Sequence, residues 1–114
     1  MLTTAAVEKR LRLVFAAHVV RFGKLKKPTL AVVTMDAGKA IITLPDGYDD
    51  YLTLMTLFHE LMHFAMPGEL AAWGDMEEDI LERVVEPRLM HWIVGHPRAY
   101  AWWLKNLRAL REAR

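Results

Sequence analysis

The stretch Leu57-Phe58-His59-Glu60-Leu61-Met62-His63-Phe64 constrains this chain more than any other. Residues four apart on a helix lie one above the other on a single face, so His59 and His63 can present two imidazoles to one metal ion. Glu60 stands beside that pair without being needed as a ligand. Two neutral nitrogens, a solvent position and a carboxylate able to take a proton are the parts of a zinc hydrolase site. The flanks agree with a helix. No Gly or Pro occurs from Leu52 to Met66, and Leu54, Met55, Leu57, Phe58, Leu61, Met62 and Phe64 surround it with apolar side chains. A helix apolar on most sides is a buried one, and two histidines and a glutamate inside it are costly unless satisfied. A metal ion with its water satisfies all three. The chain has no cysteine, so no thiolate can join them and the other ligands must come from His, Glu or Asp.

On either side of this helix the patterning predicts an α+β fold. Val7, Leu11, Val14, Phe15, His18, Val19 and Phe22 recur at helical spacing, which predicts one helix from Thr3 or Thr4 to Phe22, closed by Gly23. His18 lies on that stripe and reads as a core or supporting histidine rather than a ligand. Lys24, Lys26, Lys27 and Pro28 form a short basic linker. Leu30–Met35 and Lys39–Leu44 are β-rich segments around the turn Asp36-Ala37-Gly38, a hairpin, with room for a third short strand near Leu25. Two strands alone are marginal, so the hairpin must lie against helices.

Asp49 or Asp50 caps the metal helix, expected over Tyr51–Ala65, and Met66-Pro67-Gly68 stops it. Glu69 to Asp75 reads as a loop or short turn. A long helix follows over Met76–Val94, with Pro87 inside its pattern to kink or split it. A last helix starts at His96-Pro97. Tyr100, Trp103, Leu104, Leu107 and Leu110 give it an apolar side, and Arg98, Lys105, Arg108 and Arg111 a solvated one. Trp102 falls off the apolar stripe and is the residue that would mark self-association; a monomer or weak homodimer is expected.

A catalytic zinc takes three protein ligands. The candidates for the third are Glu69, Glu77, Glu78, Glu82, His91 and His96. At about 100° per residue, an inner face centred near Leu81, Val85, Arg88 and Trp92 takes in Glu77, leaves Glu78 on its edge and turns Glu82 and Glu86 outwards. Glu77 is therefore preferred, with Glu78 as the alternative. The one not bound would cap the helix or hold a ligand histidine by its second nitrogen. His91 projects outwards, and His96 suits a helix start. With zinc on His59 and His63, Glu60 would be the catalytic base that takes a proton from the attacking water and returns it to the leaving amine. Tyr48, Tyr51 and His96 are the candidates for a second oxyanion donor. An unpaired outer strand of the hairpin would let an extended peptide add to the sheet, which makes a peptide or protein the expected substrate.

Composition narrows the setting. With 114 residues, 54% apolar and 25% charged, the chain suits one globular domain over residues 1–114. It has no run long and apolar enough to span a membrane, and its first residues do not read as a secretion signal. A cytoplasmic location is expected. A net charge of +1 gives no reason to expect nucleic acid as a partner.

His59-Glu60-Leu61-Met62-His63, followed by Glu77-Glu78 on a later helix, resembles the small zincin metallopeptidases whose third ligand is glutamate. The order of helix, hairpin, metal helix and glutamate helix is similar to their minimal core. Thr56-Leu57-Phe58-His59-Glu60-Leu61-Met62-His63, Glu77-Glu78-Asp79-Ile80 and His96-Pro97 also resemble small uncharacterised bacteriophage and prophage proteins, which carry Asn-Pro where this chain has His-Pro. That likeness implies a predicted zinc peptidase in the host cytoplasm with an unknown substrate. Met66 and Glu69 stand where the metzincin pattern requires Gly and His, which separates the chain from that subgroup. Two other functions share these residues: a non-catalytic protein stabilised by its metal, which would need a fourth ligand such as His18, His91 or His96, and an amidase acting on a non-protein amide.

Overall fold

A computed structural model of the protein describes residues 3–25 and 31–113. Helix α1 spans Thr4–Ala17, opened by the Thr3 hydroxyl, which accepts from the Ala6 N–H at 3.1 Å. It ends five residues before the predicted Phe22. His18 is already extended, and Val19–Gly23 form strand β1, in which Val20 and Phe22 are buried while Val19 and Arg21 are exposed. The apolar residues here satisfy both periods. The β-branched pair Val19-Val20 and a partner strand decide for the strand. Lys24 and Leu25 carry no strand; the third strand of the sheet lies instead inside the span predicted as helix.

Strand β2 covers Val32–Asp36 and strand β3 Lys39–Pro45; the segment Leu30, where the hairpin was expected to begin, lies outside the described residues. The sheet order is β1-β3-β2, with β1 parallel and β2 antiparallel to β3. The predicted hairpin is present within this mixed sheet. Its two-residue turn has Ala37 at φ 49° and Gly38 at φ 80°, the left-handed pair that a tight hairpin of matching twist requires. His18 holds the α1–β1 corner to the sheet: its Nδ1 accepts from the Ala40 N–H at 2.9 Å, and its ring lies 4.9 Å from that of Phe64.

Helix α2 spans Asp50–Ala65, capped by Asp49, whose side chain accepts from the Leu52 N–H at 2.8 Å. Leu54, Leu57, Phe58, Leu61 and Met62 are fully buried at the centre of one continuous core, in contact with α1, β3 and the later helices. Pro67 ends α2 and opens helix α3, Pro67–Trp73, so the segment expected as a loop is mostly helical. A short turn at Gly74–Met76 leads into helix α4, Glu77–Ile80, a wider i→i+5 turn at Leu81–Val85, and helix α5, Glu86–Val94.

The wide turn is the response to Pro87. A proline in α geometry clashes with the carbonyl four residues back and leaves it unpaired. Here the Glu86 N–H reaches instead to the Leu81 carbonyl, five residues back. The face changes as a result. Leu81, Leu89, Met90 and Ile93 enter the core, whereas Arg88, expected on the inner face, is exposed.

Helix α6, Pro97–Glu112, closes the core with Trp103, which packs edge-on against Phe58 at 4.9 Å and Phe15 at 5.5 Å. Its indole N–H donates to Glu8 at 3.2 Å. Glu8 is buried in α1 and is matched by Arg12 at 2.6 Å. Trp102 is half-buried, with the Arg12 guanidinium 4.4 Å from its ring. Arg111 ties the end of α6 to the start of α2 through Asp50 at 2.6 Å. No helix among the described residues is long and apolar enough to cross a membrane.

Candidate metal centre

Helix α2 leaves His59, Glu60 and His63 half-buried, outside the arc by which Leu54, Leu57, Phe58, Leu61 and Met62 enter the core. The imidazoles of His59 and His63 stand side by side, with ring centroids 5.1 Å apart. Across from them lies the first turn of α4. One Glu78 carboxylate oxygen is 3.2 Å from His59 Nε2, and the other is 3.0 Å from His63 Nε2. Glu77 sits on the far side of His63, 3.1 Å from Nδ1. Of the two glutamates, Glu78 is therefore the one between the inward-facing nitrogens.

His59, His63 and Glu78 each offer one atom within 4.8 Å of the others, a cluster able to coordinate a metal ion. The donor set could hold a divalent cation such as zinc. Two imidazoles and a carboxylate suit a borderline divalent cation. The Glu78 side chain is 57% exposed, so the cluster opens to solvent on that side.

His59 Nδ1 faces the carboxylate of Glu86, a buried residue at the start of α5. The sequence reading turned Glu86 outwards, because residues eight apart on an unbroken α-helix differ by about 80°. The wide turn takes up one extra residue and removes most of that offset. Pro87, directly after a glutamate and inside an apolar pattern, was the one sequence signal for it.

The imidazole of His59 is pushed up to about 9, chiefly by its hydrogen bond to Glu86; burial opposes this, and the charges of Glu86, Glu78 and Glu60 add to it. In the metal-free folded protein His59 thus keeps its proton up to that pH, while in the unfolded chain it loses it near 6.5. Its contribution is full below 6.5 and disappears as pH rises through about 9. Denaturant unfolding in the presence of a chelator should show the metal-free protein less stable at pH 9.5 than at pH 6, by on the order of 2–3 kcal/mol from this group. Glu86→Gln should flatten that slope.

Glu60 lines a cavity of about 530 Å³ with His59, Glu82, Glu86, Met55, Thr56 and Ala31, the residue just before β2. The other candidates lie elsewhere. Glu69 pairs with Arg10 at 3.1 Å, His91 is exposed, and His96 stacks on Trp92 with its Nδ1 2.6 Å from the Trp92 carbonyl. His18 is bound to the sheet backbone. None of Tyr48, Tyr51 and His96 is among the residues lining the Glu60 cavity. Comparison with protein-family models, curated proteins and solved structures finds no match to this chain.

Proposed function

We propose that the protein is a zinc-dependent peptidase in which His59, His63 and Glu78 hold the metal and Glu60 is the general base. The observation that carries this reading is the Glu78 carboxylate lying against both Nε2 atoms, with Glu60 on the adjoining cavity. Bound zinc supplies Lewis acidity, a more acidic water and charge stabilisation for an oxyanion.

The chain's own residues do the rest. Glu60 takes the proton released as water attacks the carbonyl and delivers it to the departing nitrogen, so one carboxylate serves as base and then acid. Its place next to His59 on the same helix, lining the same cavity, supports this role.

A peptide is the substrate class that the sheet favours. Among the described residues β2 pairs on one side only, with β3, and four of its five residues are exposed. An extended chain adding to that free edge would run past Ala31 into the cavity that holds Glu60. The metal-stabilised, non-catalytic alternative needs a closed site. The exposure of Glu78 and the engagement of His18 and His96 with backbone groups favour the open one.

The test is hydrolysis of a mixed peptide library by the purified chain, read by mass spectrometry. Cleavage is expected with zinc, absent with chelator and restored by adding zinc back. Stoichiometric zinc binding without cleavage of any peptide would instead support the structural role.

A further inference from the structure

We infer that Glu86 is a positioning residue for His59, and that the i→i+5 turn at Leu81–Val85 is what brings it there. The inference rests on the reading of His59, His63 and Glu78 as ligands of one ion. Glu86 is 8% exposed, and its one ion-pair partner among the described residues is His59, at Nδ1. A carboxylate buried there is costly unless a donor faces it. A neutral His59 supplies that donor only as the Nδ1–H tautomer, and that same tautomer leaves the lone pair on Nε2, aimed at Glu78 and His63. Burial of Glu86 and orientation of the ligand nitrogen are thus one requirement.

The register explains how a single helical run does both jobs. Glu78 meets His59 at Nε2 and Glu86 meets it at Nδ1, so the run grips one imidazole at both nitrogens. In an unbroken α-helix these two glutamates would diverge by about 80°. The bond from the Glu86 N–H to the Leu81 carbonyl absorbs one extra residue and turns Glu86 back towards α2.

The test uses the full chain titrated with Co²⁺, and with Zn²⁺ in competition with a chromophoric chelator. Glu86→Ala should weaken binding by about 10–100-fold and alter the cobalt absorption bands, with circular dichroism unchanged. Glu86→Gln, whose amide oxygen can accept the same N–H, should recover most of the loss. Nitrogen NMR of the zinc-loaded wild type should show His59 bound through Nε2 with a protected Nδ1 proton, a result independent of how any variant folds. Wild-type affinity and cobalt bands in Glu86→Ala, or His59 bound through Nδ1, would overturn the inference. If His63→Ala loses the metal while Glu86→Ala keeps it, only this inference fails. A folded wild type that takes up neither metal overturns the ligand reading as well.

Discussion

Glu60→Gln is expected to lower zinc-dependent peptide hydrolysis by about 10²–10⁴-fold, the usual contribution of a general base, while the protein keeps its zinc. Gln has the size and hydrogen-bonding reach of Glu but cannot take a proton. Glu60 adjoins His59 and shares its cavity, yet it is not in the cluster of metal-capable atoms. Activity and metal content should therefore separate in this variant. Steady-state cleavage of the best library peptide, with zinc measured on the same sample, makes the comparison. Unchanged cleavage would move the base to another group.

His63→Ala should have the opposite signature, with metal and activity lost together. His63 brings Nε2 to 3.0 Å from Glu78, and its Nδ1 is held by Glu77 at 3.1 Å. Losing an outer partner of a ligand histidine typically costs 10–100-fold in affinity, so losing the ligand itself should cost more than about 100-fold. His91→Ala is the control, because His91 is exposed and lies outside the cluster. Competition with a chelator of known affinity measures both. The fold should tolerate the change, since His63 is only half-buried and the core residues of α2 lie on its other faces.

The features legible in the sequence were those set by local chemistry. Asp49 and Pro67 bound α2, and four-residue spacing puts His59 and His63 on one stripe. Asp36-Ala37-Gly38 between two β-branched runs made the hairpin visible. What stayed hidden depended on partners distant in the chain or on backbone irregularity. Val14, Phe15, His18, Val19 and Phe22 fit a helical stripe as well as Val20 and Phe22 fit a strand. The β-branched pair Val19-Val20 leans towards a strand, and pairing with Ile42 and Leu44 decides it.

The glutamates illustrate the second kind of difficulty. A face assigned at 100° per residue put Glu77 inward and Glu86 outward. That assumes an unbroken helix, and Leu81–Val85 is not one. Downstream of that turn every residue is rotated, which is why Arg88 is exposed and Glu86 is buried against His59. The choice between Glu77 and Glu78 is finer still. They are adjacent, and each lies on a different nitrogen of the same histidine.

Zinc affinity and content of Glu78→Ala beside Glu77→Ala test the proposed ligand set most directly. The set His59, His63 and Glu78 predicts one zinc per wild-type chain, a large loss in Glu78→Ala, and in Glu77→Ala at most the smaller loss expected from an outer partner of His63. Zinc retained in Glu78→Ala, or lost from Glu77→Ala alone, would contradict it.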